Sequence, residues 1–430
     1  MSKVYFVDAN AGQQSRKHKE CDGRGCPTCG GTGRHFEIAP PEALPLAFLR
    51  LVEASGFLDL IGVDDRVAIK IHSGEHFNHR LVPPVFYETL VRRIVELGGK
   101  PFITDTNTVY GETRYEGLGH YITAWRNGYD LCYAGAPFVV ADGLVGTDAT
   151  KVEIEGDVLK EVYVPSAIYE SEVLISIDHT TIHPQFGLGA NVKNLGMGAV
   201  AKQTKIQIHR HEIPAFLSEK CKGCECCLKV CSAGAIRMVN HKAVLDPSAC
   251  WGCKLCLHAC PHEAIILEDL NHDDEYKALA DGAMGVLDRF PGKFLAINFL
   301  MNITLDCDCE EKQGRPVVPD LGIMASTDIV AIDQASLDMI HSAPLYPLSV
   351  VSDLPKGSDL ARLRRSKPSS FGMEQMLEYM ESQGIGSRQY ELIRLKRHKN
   401  SFKERSHFIP ELGYARRLRE RARKKSASKS

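Results

Sequence analysis

The sequence predicts an α/β protein: a host domain on a largely parallel sheet, interrupted by one small α+β insert. Three observations predict it. Short apolar runs alternate with segments of helical period on both sides of residues 216–268, the pattern that lays helices over a parallel sheet. The intervening residues hold two cysteine runs of one spacing and read as short strands and turns. Composition agrees, since 44% hydrophobic and 25% charged residues over 430 positions can bury a sizeable core.

Val4–Val7 opens the chain as a strand, followed by the apolar strands Val67–Ile71 and Pro101–Thr104. Between these two, Pro84–Leu97 starts on a proline and repeats apolar residues at helical spacing. Tyr121–Asn127 reads as a helix, and Phe138–Ala141 and Val173–Ile177 as strands. After the insert the alternation resumes with the strand Lys293–Asn298 and the helix Asp328–Ile340, opened by its acidic first residue. The host is therefore discontinuous, 1–215 and 269–395, with the insert at 216–268 and a basic tail at 396–430.

The net charge of −2 hides an asymmetry, because the tail carries thirteen Lys or Arg against three Glu, +10 against −12 for the rest. A solvated tail is the simplest reading; an acidic redox partner, nucleic acid or a membrane surface would also attract it. No interleaved aromatics support specific nucleic-acid recognition. No run approaches the roughly 20 apolar residues of a membrane helix. Fifteen cysteines without the plan of an export signal point to metal chemistry in a reducing compartment, expected to be the cytoplasm.

The two runs are Cys221, Cys224, Cys227, Cys231 and, twenty-nine residues on, Cys250, Cys253, Cys256, Cys260, each C-x2-C-x2-C-x3-C. A 4Fe-4S cube needs four converging thiolates, and one tight loop of this spacing delivers three. Paired C-x2-C units also build zinc ribbons, but two identical four-member runs fit two cubes better than tetrahedral pairs. Between the runs, 236–245 reads as two short strands about a turn. Spacing and the Cys260-Pro261 step resemble bacterial two-cluster ferredoxins. That resemblance implies that the last cysteine of each run ligates the other cluster: Cys221, Cys224, Cys227 and Cys260 for one, Cys250, Cys253, Cys256 and Cys231 for the other. Ser232 stands where the second run has Pro261, and Cys226 is an extra thiol that reads as a buried spare.

The segments at 67–75 (VAIKIHSGE), 102–110 (FITDTNTVY), 187–198 (GLGANVKNLGMG) and 306–309 (DCDC) resemble, in this order, the family catalogued as domain of unknown function 362. Many of its members carry an inserted double ferredoxin module. The resemblance covers the chain to about residue 395 and names no reaction. Residues 16–35 and the basic tail look like additions to the family pattern.

Gly187–Gly198 is the best substrate-site candidate, since glycines expose backbone N–H groups and Lys193 adds the point charge suited to a phosphate or carboxylate. A structural loop is the plain alternative. Short similarity to the glycine-lysine segment of nickel-pincer lactate racemases is confined to this stretch. His179 and His183 follow a strand end, where ligands bind in open α/β sheets, and are placed to polarise or protonate a substrate. His72, Glu75, Asp105, Thr106 and Asn107 also follow strands, each reading first as a satisfied loop residue. His209 and His211 would point to opposite faces of an extended stretch and form no metal pair. Cys307 and Cys309, beside Asp306 and Asp308, are candidates for a metal, a redox-active thiol pair or a further cluster, with inert thiols as the plain alternative. Cys21, Cys26 and Cys29 resemble the C-x2-C-x-G-x-G unit of chaperone zinc domains, one ligand short of four; His18, His35, Cys307 or Cys309 would complete a zinc site or third cluster, and a run that binds no metal is the plain alternative.

The expected function is an iron–sulfur redox protein: two 4Fe-4S clusters feed or drain a host site for a small anion held by Lys193. No nucleotide fingerprint follows a strand, so the chain is expected to be flavin-free and to exchange electrons with a protein partner. The rival readings are a non-catalytic electron carrier and a metal or sulfur assembly factor.

Overall fold

The computed structural model describes residues 1–10, 14–17, 34–37, 42–211, 213–267, 272–355, 357–360 and 372–396. Residues 1–9 and 48–394, the insert included, form one unit. Residues 10–47 and 395–430 form a second, in which Gln14–Lys17 pairs antiparallel with Arg34–Glu37.

Eight strands build the central sheet: β1 (Ser2–Asp8), β2 (Arg66–Lys70), β3 (Lys100–Asp105), β4 (Phe138–Val140), β5 (Val173–His179), β6 (Phe294–Leu300), β7 (Gly322–Ser326) and β8 (Tyr390–Leu395). Their spatial order is β8-β1-β7-β6-β5-β2-β3-β4. The run from β6 through β5, β2 and β3 to β4 is parallel throughout, while β7 pairs antiparallel with β6 and β1. The largely parallel sheet is therefore present. In β5 and β6 every residue is buried, which suits parallel strands covered on both faces. The antiparallel β7 carries no alternation that would announce it, because all five of its residues are buried too.

Helices α1 (Pro84–Glu96), α2 (Gly117–Arg126), α3 (Asn191–Gly196) and α4 (Lys202–His209) precede the insert. Within it lie α5 (Cys226–Val230) and α6 (Leu255–Ala259), and beyond it α7 (His272–Leu287) and α8 (Ile329–Ser342). Asp328 caps α8 as expected, accepting from Val330 N and Ala331 N at 2.9 Å. Helix α2 starts four residues before the predicted Tyr121, because the Glu116 carboxylate accepts from Leu118 N and Gly119 N at 3.0 and 2.6 Å. His209 closes a helix rather than lying in an extended stretch.

The insert leaves and rejoins the host at one place, since Ala215–Phe216 pairs antiparallel with Ile265–Ile266. Ile236–Val239 and Lys242–Leu245 form the expected hairpin. The sequence repeat is also a backbone repeat: Gly223 and Gly252 take φ of 72° and 69°, and Glu225 and Lys254 take 61° and 63° just before α5 and α6. Cys227, Ile236, Ala243, Cys256 and Ile265 pack into its small core. Among the described residues, no helix is long and apolar enough to cross a membrane.

Candidate functional site

Strands β2, β3, β5 and β6 point their carboxyl ends the same way, so the loops after them converge. They line a cleft of about 2720 Å³, counted to its open mouth. From the host come His72, Arg114, Asp178, Lys193 and Lys205 among others; from the insert come Gly252, Cys253, Lys254 and Leu255.

Behind the cleft a charged network is already satisfied. Lys70 Nζ lies 3.0 Å from Asp105 Oδ1, and Arg114 pairs with Glu75 at 2.7 Å, all four side chains nearly inaccessible. Burial alone would raise the Asp105 carboxyl, but Lys70, His120 and Arg114 hold it well below the carboxylate range. Glu75 also accepts from Thr113, and Asn107 donates to Asp142, so these two serve the network. His72 lines the cleft, its Nδ1 accepting from Gly74 N at 3.0 Å.

Three titrating groups on the cleft wall, Lys193, Lys205 and Asp178, sit near neutrality. Burial brings Lys193 down to about 8 despite Asp178, and Lys205 down to about 8 despite Asp142. Asp178 is pushed up to about 7 by burial and by Asp333. A cation beside a carboxyl poised near 7 suits anion binding with proton exchange. The glycine-rich segment contributes differently from expectation. The N–H groups of Asn191 and Val192 at the start of α3 donate to Asp333 at 3.1 and 2.7 Å, leaving Lys193 as the anion-seeking element.

His179 has no free ring nitrogen. Nδ1 lies 3.0 Å from both Asp308 carboxylate oxygens and Nε2 lies 2.7 Å from Met301 O. Both acceptors demand N–H, so the ring is an imidazolium; burial opposes this, but Asp308 raises its pKa overall. His183 does reach the cleft, with Nε2 3.7 Å from Cys309 Sγ. Cys307 and Cys309 are joined in a disulfide, and Lys193 Nζ lies 3.7 Å from Cys307 Sγ. Ligand atoms of His183, Cys307 and Cys309 lie within 4.8 Å of one another.

In the insert, one small cavity is lined by Cys221, Cys224, Cys227 and Cys260, and another by Cys231, Cys250, Cys253 and Cys256. Backbone N–H groups donate to four of these sulfurs: Ala243 to Cys221, Ala235 to Cys231, Gly252 to Cys250 and Ala264 to Cys260, at 3.3–3.4 Å. Cys226 lines neither cavity and is half-exposed, not the buried spare expected, because the turn before α5 leaves it on the outer side of the loop while Cys227 points into the small core. Cys253 lines both its four-cysteine cavity and the cleft. Lys254 lies 3.6 Å from the buried Glu275 of α7, which also lies 3.5 Å from His209, so the second cysteine loop is tied to the host.

Cys21, Cys26, Cys29, His18 and most of the basic tail lie outside the described residues. Asp178, Arg114 and Lys205 gave little sequence signal, since each acquires its role from partners far away in the chain. Asp178 directly precedes His179, which the sequence does single out.

No curated protein matches the chain. Among solved structures, the lactate racemase apoprotein from Thermoanaerobacterium thermosaccharolyticum is similar over 62% of this chain with a TM-score of 0.34 and 10% identity. The match covers 54% of that protein, about half its length. The family described as domain of unknown function 362 matches residues 67–338. The chain belongs to that family.

Proposed function

We propose that this protein is an iron–sulfur redox protein that carries electrons through two 4Fe-4S clusters to a small anion bound in the host cleft. The residues present fit such clusters. Each cavity collects four thiols, one from the opposite run, and backbone N–H groups aimed at sulfur stabilise thiolate. A bound cluster supplies reversible one-electron transfer.

The observation that carries the reading is the double position of Cys253, on the wall of its cysteine-lined cavity and on the wall of the cleft. On the host side, Lys193 holds the anion, Asp178 exchanges a proton with it, and the Gly252–Leu255 loop covers it. A redox protein partner docks on the insert.

Anaerobic purification tests this directly. About eight iron and eight acid-labile sulfide per chain are expected, with paramagnetic signals on dithionite reduction. Zinc without sulfide would sink the reading. If iron is present but Lys193→Ala changes nothing in cells, the chain is a carrier alone; metal passed to an apo acceptor would mark an assembly factor.

A further inference from the structure

We propose that the Cys307–Cys309 disulfide is a redox relay on the cleft wall, opened by two electrons arriving through the insert; the electron route rests on the cluster reading above. The pair is set among donors. Cys307 Sγ accepts from Cys309 N at 3.3 Å and lies 3.7 Å from Lys193 Nζ, two groups that stabilise a thiolate. Cys309 Sγ faces His183 Nε2 at 3.7 Å.

The hydrogen bonds of His183 decide between a relay and a metal site. Its Nδ1 accepts from Gln185 N and Phe186 N, both at 3.1 Å. Nδ1 is therefore unprotonated, and in the neutral ring the proton sits on Nε2. An Nε2–H donates to sulfur and cannot ligate a metal. A metal at His183, Cys307 and Cys309 would need the proton on Nδ1, directed into two N–H groups. The ring is buried and held neutral by desolvation and by Lys193.

Two electrons from a low-potential one-electron donor, taken singly through the clusters, break the S–S bond. Cys307 remains as thiolate against Lys193, and Cys309 takes one proton from cleft water and stays under His183 Nε2–H. In reverse, the pair returns two electrons and one proton to an acceptor in the cleft. The relay thus turns two single-electron arrivals into one two-electron event.

The test uses iron-loaded protein held anaerobically, thionine-oxidised or dithionite-reduced, then acid-quenched, denatured and alkylated. Trypsin releases residues 294–312, in which Cys307 and Cys309 are the only cysteines. The peptide should carry no label when oxidised and two labels when reduced. In Cys253→Ala, dithionite should open the pair at least tenfold more slowly, while a phosphine reductant still opens it. Label in both states, none after the cluster absorbance has bleached, or equal opening in Cys253→Ala would overturn the relay. So would zinc that is stoichiometric in wild type and lost in Cys307→Ser. Iron-free protein would sink the cluster reading and the electron route together, whereas iron-loaded protein with an inert pair sinks the relay alone.

Discussion

The Asp308 carboxylate meets His179 Nδ1 at 3.0 Å, with both side chains only 4% exposed, and Asp308 is the residue between Cys307 and Cys309. The ion pair therefore pins the Cys-x-Cys loop to the end of β5. Removing the imidazolium leaves a buried carboxylate with, among the described residues, only Gln313 and Asn78 as side-chain donors.

His179→Ala should lower the unfolding free energy by about 3–5 kcal/mol in urea titrations. The sign of the pH dependence follows from both partners. The pKa of His179 is raised, so its stabilisation is full below the unfolded value near ~6.5 and fades as pH rises through the folded one. The pKa of Asp308 is lowered by His179 against burial, so its part is present above ~3.9 and fades as pH falls through the folded value. The stability difference between wild type and His179→Asn should peak between roughly pH 4 and 6.5. A flat difference from pH 4 to 9 would exclude the pair.

Lys193 loses its charge as pH rises through about 8. Oxalate, a dianion above pH 6, should bind roughly tenfold more weakly at pH 9 than at pH 7, as read by calorimetry. Lys193→Gln should weaken binding at pH 7 and remove most of that slope. Unchanged affinity in the variant would mean that the anion sits elsewhere.

The crossed cysteine sets make a pattern that single substitutions reveal. Cys260→Ala should remove the same paramagnetic signal as Cys227→Ala, and Cys231→Ala the same as Cys253→Ala, each with about half the iron retained. Cys260 grouping with Cys256 instead would refute the exchange between runs.

Gly252 has φ of 69°, and a Cβ built there would lie 2.0 Å from His209 O. Gly252→Ala must therefore lift the second cysteine loop off α4. The expected result is loss of the second cluster's iron with the host's far-UV circular dichroism and urea midpoint little changed. Full iron retention would show that the loop and host are not tightly packed.

The parallel strands were legible because β5 and β6 are mostly apolar, with Val173–Ile175 and Phe294–Ile297 as unbroken apolar stretches, and α8 because Asp328 announces its cap. The early start of α2 was not, since a glutamate cap on Gly117–Arg126 resembles any surface carboxylate. Among site residues, Lys193 was legible as a lone cation in a glycine-rich stretch. His179 looked equivalent to His183, and only their partners, Asp308 for one and Cys309 for the other, tell them apart. Asp333, which takes the N–H groups of α3, lies 142 residues from Asn191 and gave no local sign.

By itself, the sequence determined the helical and strand periods and the spacing of the two cysteine runs, because both are local: side-chain direction repeats every two or 3.6 residues, and thiol reach is set within one loop. Only the tertiary structure decided that Cys253 and Lys193 line one cleft and that His183 presents Nε2–H to the Cys307–Cys309 disulfide. Those meetings span more than fifty residues of chain. They exist because the sheet order brings strand ends far apart in sequence to one edge, where burial keeps the His183 ring neutral and the Gln185 and Phe186 N–H groups leave its proton on Nε2.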